Sequence, residues 1–235
     1  MSEYDAHAFD AYEQAGWEAI AGRFAERWSP ITSQAIDYLL EKAHIGQGSR
    51  LLDVGTGPGD AAGRAVERGA EATGIDVAAA MVEIAAERHP DATFLQASAS
   101  DLPFPDGSFD AVVGNNVIQH VGEPQRAARE MRRVLAPGGR VAVSDIALFQ
   151  PLPDSIRTMV EALVGCVAGA ALVADIEKTM REAGLVDIQL TPKADYVAAM
   201  SNADDPLFRR VVELLPAGSK VADYVTSLDI RARKP

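Results

Sequence analysis

The chain has 235 residues, of which 48% are hydrophobic and 24% charged, and its formal net charge at pH 7 is −12. This length and composition predict one large globular domain and exclude an intrinsically disordered chain. The excess of negative charge would repel a phosphate backbone, so we expect a small-molecule substrate and no nucleic-acid partner. The densest basic clusters, Arg126 to Arg133 and Arg231 to Lys234, are interpreted as solvated surface.

The N-terminal stretch predicts a cytoplasmic protein that does not bind membranes. Acidic residues stand in MSEYDAHAFD where a signal peptide would need a basic stretch and then an apolar one. No apolar run approaches the ~20 residues of a membrane span. The only cysteine, Cys166, excludes an internal disulfide, and the four histidines show no metal-ligand spacing with it, so we expect no metal site.

The first two thirds of the chain alternate between helical and extended patterns. After Ser29-Pro30, which is typical of a helix start, apolar residues fall at helical spacing as far as Leu40. The predicted strands are Arg50–Val54, Ala72–Asp76, Thr93–Leu95, Phe109–Gly114 and Arg140–Ile146, with helices over 60–68, over Ala78–Arg88 and from Pro124 to the turn Pro137-Gly138-Gly139. This alternation predicts a parallel sheet with helices on both faces.

The remaining third is less regular. The predicted elements are helices over Ser155–Val164, Val173–Ala183 and Asp205–Leu214 and strands over Val186–Leu190 and Tyr224–Ile230. The two late strands predict an antiparallel edge on the sheet. The residues before about 29 predict a helical N-terminal extension, which carries the aromatic residues Phe9, Tyr12, Trp17, Phe24 and Trp28.

Candidate ligand-binding residues follow four of the predicted strands. Gly55, Asp76, Ser98 and Asn115 come at or directly after the ends of strands one to four. In an open α/β sheet, ligands bind at the carboxyl ends of the strands. These residues are therefore expected to line one site.

The glycine-rich stretch LLDVGTGPGD, residues 51 to 60, is compatible with two ligand classes. Residues 57 to 62 match G-x-G-x-x-A, the dinucleotide pattern in which a helix N-terminus holds a pyrophosphate. Asp53 and Asp60 oppose that interpretation, because they place negative charge where a pyrophosphate would lie. They would favour a ligand with a cationic amino-acid end, and Asp76 could bind a ribose in either case.

Four ordered motifs over about residues 45 to 147 resemble class I S-adenosylmethionine-dependent methyltransferases. They are DVGTGPG (53 to 59), Asp76 followed by Met81, LPFPDGSFDAVV (102 to 113) and LAPGGR (135 to 140). The resemblance implies a Rossmann-like, doubly wound sheet of seven strands with the last strand antiparallel. It also implies S-adenosylmethionine as the methyl donor and S-adenosylhomocysteine as the product. We expect residues 1–28 to form a helical lid and residues 29–235 the methyltransferase domain.

The resemblance further implies roles for individual residues. Asp53 would hold the glycine loop and favour the cationic end of the cofactor; Gly55, Thr56 and Gly57 would line its methionyl part; Asp76 would bind the ribose; Val77 and Met81 would flank the adenine. Ser98 stands where relatives have an acid that accepts from the adenine amino group, and Ala99 would provide the backbone contact that follows. Asn115 would cover the methionine end through its backbone carbonyl.

The residues around the methyl acceptor are predicted separately. His120 is the candidate general base, and it is equally compatible with an ordinary helix-face histidine. Tyr12 and Trp17 of the N-terminal extension are candidates for an aromatic lid, with simple packing onto the domain as the alternative. Cys166 is expected to line the acceptor pocket as a wall.

The C-terminal third resembles the arsenite methyltransferase branch through VSDIALFQPLPDSIR, VGCVAGAA (164 to 171), EAGL and SLDIRARKP. A soft As(III) centre needs several thiolates, and this chain has one cysteine. We therefore predict methylation of another small molecule by a monomer or homodimer. A quinone-biosynthesis C-methyltransferase, an arsenite methyltransferase and a noncatalytic S-adenosylmethionine-binding protein are the alternatives.

Overall fold

A computed structural model describes residues 5–157, 170–193, 212–216 and 218–235. Its sheet contains the strands β1 (Arg50–Val54), β2 (Glu71–Asp76), β3 (Thr93–Gln96), β4 (Phe109–Asn115), β5 (Leu135–Leu148), β6 (Ala171–Leu172), β7 (Val186–Lys193) and β8 (Val225–Arg233). The strand order is β3-β2-β1-β4-β5-β8-β7, and the two-residue β6 pairs with β5 off this path.

The pairing directions agree with the predicted fold class. Strands β1 to β5 pair in parallel, whereas β8 runs antiparallel to both β5 and β7. The rearranged order at β1 and β4 produces a switch point, where the carboxyl ends of neighbouring strands open a crevice. The α/β sheet of seven strands with the last strand antiparallel is thus confirmed, with β6 as a short addition.

Helices cover both faces of the sheet. They are α1 (Ala6–Arg27), α2 (Ser29–Thr32), α3 (Ile36–Lys42), α4 (Asp60–Glu67), α5 (Ala79–Arg88), α6 (Pro124–Val134), α7 (Asp154–Arg157) and α8 (Val173–Glu182), with 3₁₀ turns at Ser33–Ala35, Ile118–His120 and Val221–Asp223. One core layer packs α3 and α4 against the sheet, and a second core layer on the other face includes α6 and α8. The central strand β1 is buried along residues 51–54 because both faces are covered.

Some element bounds differ from the prediction. β5 extends from Leu135 to Leu148, beyond the predicted Arg140–Ile146, because its register with β8 continues to Leu148 and its start pairs with Phe109. The predicted helix Ser155–Val164 is described only as far as Arg157, and the predicted helix Asp205–Leu214 lies outside the described residues except at its end.

The N-terminal helix α1 lies against α5 and the carboxyl ends of the strands. Asp5 caps its start, because the carboxylate accepts from the backbone N–H groups of His7 and Ala8. Its buried Ala21 packs with Met81 and Ala78, and Trp17 and Phe24 lie against this cluster. Within the described ranges, no helix combines the length and apolar character that a bilayer crossing requires.

Candidate active site

The glycine loop after β1 leaves open space at one position. Gly55 and Gly57 adopt positive φ angles of 65° and 52°, which residues with a Cβ rarely adopt. A Cβ at Gly55 would lie 2.5 Å from Val117 Cγ2, so the close approach of the next loop requires glycine there. A Cβ at Gly57 would meet no atom within 4 Å, so this side of the loop is open to a ligand.

Asp53 holds this loop from inside the protein. Its side chain is 2% exposed, and its Oδ2 accepts from Thr56 Oγ1 at 2.6 Å. Burial raises the pKa of the Asp53 carboxyl to about 7, against the opposing effect of the Thr56 hydroxyl. A cation bound nearby would lower that pKa again, so the buried carboxylate favours a positively charged ligand group.

Asp76, at the end of β2, joins the glycine loop to the start of α5. Its Oδ2 accepts from the backbone N–H of Gly57 at 3.0 Å, and its Oδ1 accepts from that of Ala78 at 3.0 Å. Burial raises the pKa of this carboxyl, and hydrogen bonds from the backbone N–H groups of Ala78, Gly57 and Val77 oppose the shift. A carboxylate offers about four acceptor positions, so Asp76 retains acceptor capacity for a ribose hydroxyl.

The residues predicted near the adenine occupy three different settings. Met81 is buried under α1, in the cluster with Ala21 and Trp17. Val77, beside Asp76, accepts from Gln96 Nε2 through its carbonyl at 2.9 Å. Ser98 Oγ accepts from the backbone N–H of Ser100, and Ala99 is buried in the main core. Val77 therefore adjoins Asp76 in the chain and Met81 packs at the start of α5, whereas the Ser98 hydroxyl has a local structural partner.

Asn115, at the end of β4, carries an unpartnered polar atom. Its Nδ2 donates to the carbonyl of Thr32 at 2.9 Å, which ties α2 to the end of β4. Its Oδ1 is buried and has no hydrogen-bond partner among the described residues. A buried acceptor without a partner is costly, and a bound ammonium group would satisfy it. This atom and the open space at Gly57 fit a cofactor with an amino-acid end.

His120 lies in a polar cluster with two residues of α1. Its Nδ1 is 2.8 Å from Glu13 Oε2, and the same carboxylate oxygen accepts from Trp17 Nε1 at 3.1 Å. The Trp17 and His120 rings meet edge to face at a centroid distance of 5.1 Å. The structure thus brings Trp17 to His120, whereas Tyr12 is 58% exposed. Cys166 lies outside the described residues.

The hydrogen bonds around His120 assign the proton to one of its two ring nitrogens. The backbone N–H of Ile146 donates to Gln119 Oε1 at 3.0 Å, so the other end of this amide must be the nitrogen. Gln119 Nε2 is 3.3 Å from His120 Nε2, and an amide nitrogen only donates. His120 Nε2 therefore carries the lone pair, and Nδ1–H donates to Glu13. A carboxylate-oriented imidazole with its lone pair on Nε2 is the arrangement of a general base.

Asp145, near the end of β5, adds a second acid beside His120. The residue is 2% exposed, and its Oδ2 accepts from the backbone N–H of Ile118 at 3.0 Å. Its Oδ1 has no hydrogen-bond partner in the described part of the chain. Burial raises the pKa of Asp145 to about 7, and the hydrogen bond from the Ile118 backbone and the charge that His120 carries when it is protonated oppose the shift. The two groups are therefore electrostatically coupled.

Three residues of this cluster were not predicted from the sequence: Glu13, Gln119 and Asp145. Asp145 follows the rule that singled out the ends of strands one to four, and applying that rule to β5 would have found it. Glu13 carries no such signal, because its contact with His120 spans 107 positions of the chain. Gln119 was detectable only as a neighbour of His120.

Comparisons with known proteins identify the family of this chain. A family model described as a methyltransferase domain matches residues 52–143. The chain is 32% identical to an arsenite methyltransferase of Halobacterium salinarum over 82% of its own length and 48% of the relative. It is 31% identical to the methyltransferase GfsG of Streptomyces halstedii over 78% of its own length and 68% of the relative.

The solved structures include an arsenic(III) S-adenosylmethionine methyltransferase from Chlamydomonas reinhardtii. The TM-score is 0.60 at 26% identity, and the match covers 86% of this chain and 72% of that one. The chain spans about half the length of several curated relatives that it matches.

The fold, the glycine loop and these matches together define a class of protein. The chain belongs to the class I S-adenosylmethionine-dependent methyltransferases. This confirms the resemblance seen in the motifs, and S-adenosylmethionine as the cofactor that it implied.

Proposed function

We propose that this protein transfers the methyl group of S-adenosylmethionine to a hydroxyl group of a small molecule. The observation that carries the proposal is the His120–Glu13 pair, with the His120 lone pair on Nε2. A hydroxyl is a weak nucleophile until it loses its proton, so its methylation needs a base at the acceptor. A thiolate or a trivalent arsenic centre already has a nucleophilic lone pair and gains little from one.

The cofactor would be held by the residues at the ends of β1, β2 and β4. Gly55, Thr56 and Gly57 would line its methionyl part, and Asn115 Oδ1 offers an acceptor for its ammonium group. Asp76 would accept from the ribose hydroxyls, and Val77 and Met81 would flank the adenine. Ser98 and Ala99 complete the proposed adenine side. When bound, the cofactor supplies an electrophilic methyl group on a sulfonium.

The N-terminal segment, residues 1–28, would act as a lid that also orients the base. Besides Glu13, α1 provides Asp10, which accepts from the backbone N–H of Gly122 at 2.7 Å. Glu18 accepts from the backbone N–H of Ala80 at 3.2 Å. The helix thereby bridges the loop after β4 and the start of α5. Trp17 would cover the reacting groups and exclude water.

The proposed reaction is a displacement that one base assists. The acceptor hydroxyl would donate to His120 Nε2 in place of the 3.3 Å contact with Gln119. As the oxygen attacks the methyl carbon, its proton would pass to Nε2, and the methyl–sulfur bond would break. Glu13 would stabilise the resulting imidazolium through Nδ1–H.

Two alternative acceptors are distinguishable by their chemistry. Arsenite is favoured by the similarity to an arsenite methyltransferase, but one cysteine cannot provide a thiolate site of three ligands. A quinol ring carbon is favoured by the LPFPDGSFD and LAPGGR stretches. A noncatalytic protein that binds S-adenosylmethionine would methylate none of them.

A mass-shift screen tests the proposal. Purified protein and S-adenosylmethionine are incubated with hydroxyl-bearing metabolites, a demethylated quinol or arsenite with glutathione, and S-adenosylhomocysteine release is measured. We expect a gain of one methyl group on a hydroxyl acceptor and little turnover with arsenite. Robust arsenite methylation, or methylation of a quinol ring carbon alone, would contradict the proposed acceptor. Binding of S-adenosylmethionine without any turnover would instead support a noncatalytic role.

A further inference from the structure

A basic pocket lies at the end of the sheet opposite the candidate active site, between the C-terminal end of α3 and the strands β5 and β8. Its volume is about 240 Å³, and its charged lining residues are Lys42, Arg140, Arg231, Arg233 and Asp187. Four cations therefore face one carboxylate, in a protein whose formal net charge is −12. This concentration of positive charge has no role in the proposed methyl transfer.

The strand register forces three guanidinium groups together. Arg140 on β5 is directly opposite Arg233 on β8, and Arg231 lies two residues away on the same face of β8. Like charges at directly opposed positions of an antiparallel pair repel each other. An anion between them would remove that repulsion.

Two of these cations have no side-chain partner among the residues that the structure describes. Arg233 pairs with Asp187 at 2.8 Å, and Lys42 pairs with Glu41 at 2.7 Å and lies over the Tyr38 ring. By contrast, the side chains of Arg140 and Arg231 make no ion pair or hydrogen bond with any described residue. Arg231 Nε is buried and has no acceptor within the described part of the chain. A buried donor without an acceptor is costly and indicates a missing ligand.

We propose that this pocket binds a small phosphate-bearing molecule at a site separate from the methyltransferase site. Planar guanidinium groups bind phosphate oxygens in pairs, and a doubly charged tetrahedral anion offers enough acceptors for several of them. The volume is below the range typical of drug-sized ligands, so the site suits a compact anion. The proposal is independent of the methyl acceptor and of the role of His120.

Calorimetry on the full chain tests this proposal. The protein is saturated with S-adenosylhomocysteine, which occupies the cofactor site, and titrated in 150 mM NaCl with inorganic phosphate or glycerol 3-phosphate. We expect saturable binding at one site, with tighter binding of the monoester if the natural ligand is an organic phosphate and equal binding if it is phosphate itself. The double variant Arg140→Gln/Arg231→Gln should bind at least about tenfold more weakly.

The matched control is Arg126→Gln/Arg181→Gln, which removes two exposed cations that do not line the pocket and should bind as the wild type does. A melting experiment distinguishes loss of phosphate binding from a folding defect in the pocket variant. Phosphate should raise the melting temperature of the wild type and leave that of the folded variant unchanged. Absence of saturable binding, or equal loss in the control, would overturn the proposal. Tighter binding of an oligonucleotide or of anionic vesicles through the same arginines would overturn it in favour of a macromolecular partner.

Discussion

The two ends of the sheet carry opposite charge. At the carboxyl ends of β1, β2 and β5, the acids Asp53, Asp76 and Asp145 are each at least partly buried, and Glu13 of α1 joins them. At the other end of β5, Arg140 lies among basic side chains from β8 and α3. The formal net charge of −12 therefore does not indicate the local charge at either end of the sheet.

This contrast shows how one sheet can serve ligands of opposite sign. Burial raises the pKa values of Asp53 and Asp145 to about 7, so these acids gain from a cation placed beside them. The guanidinium groups at the basic end gain from an anion placed between them. The acidic end therefore suits a sulfonium cofactor, and the basic end suits a phosphate.

The largest effect is expected at His120. In His120→Gln, kcat should fall by about 10²–10⁴-fold because the base is lost, while the affinity for S-adenosylhomocysteine stays near that of the wild type. Turnover and calorimetry measure the two quantities. His7→Gln, at an exposed position of α1, is the matched control. Unchanged kcat in His120→Gln would show that His120 is not the general base.

A smaller effect is expected at Asp76. Asp76→Ala should weaken cofactor binding by about 2 kcal/mol or more, because charge-assisted hydrogen bonds to the ribose and the bond to Gly57 are lost. Calorimetry with S-adenosylhomocysteine measures this, with the exposed Asp91→Ala as the control. Equal affinity in both variants would show that the ribose does not contact Asp76. Tight binding of NAD in place of S-adenosylhomocysteine would contradict the assignment of the glycine loop to S-adenosylmethionine.

Substitution of Glu13 should change kcat through its effect on His120 and not through a change in the free energy of unfolding. In Glu13→Gln, the Nδ1–H form of His120 should lose its preference, because the carboxylate no longer accepts from Nδ1. Long-range ¹H–¹⁵N correlation spectra report the tautomer, and kcat should fall by about tenfold. Glu18→Gln on the same helix should leave the His120 signals unchanged. Identical spectra in wild type and Glu13→Gln would show that Glu13 of α1 does not orient His120.

The smallest effect concerns the pH dependence of stability. The pKa of Asp145 is raised from its ordinary value of 3.8 to about 7, so between these values the folded protein holds a proton that the unfolded chain releases. Its contribution to stability therefore falls as pH rises through that window. Asp145→Asn should be more stable than wild type at pH 8, and the advantage should shrink at pH 5. Melting curves at pH 8 and pH 5 check this, with Asp101→Asn as the control. An equal stability difference between Asp145→Asn and wild type at the two pH values would contradict the raised pKa of Asp145.

The sequence predicted the strand ends that carry Asp53 and Asp76 because local patterns encode them. The strand Arg50–Val54 and the glycines after it lie within ten residues, and the structure reproduces those strand bounds. The position of Asp76 follows from the same strand-end rule. The resemblance then provided roles that geometry alone does not give.

The remaining features depend on contacts between distant parts of the chain. Glu13 reaches His120 across 107 positions, and Arg140 meets Arg233 only through the register of β5 and β8. The sequence analysis interpreted Arg231 to Lys234 as solvated surface and did not predict the pocket. The pattern of this basic cluster does not indicate that Lys42 and Arg140 lie beside it. The exposure of Tyr12 was likewise undetermined, because α1 presents aromatic residues on more than one face.

A crystal structure of the complex with S-adenosylhomocysteine tests the central claim most directly. The account predicts that the ribose hydroxyls contact Asp76, that the amino group contacts Asn115 Oδ1, and that the sulfur faces the pocket containing His120 Nε2 under Trp17. A cofactor bound with its sulfur directed away from His120, or outside the glycine loop at Gly57, would contradict the account.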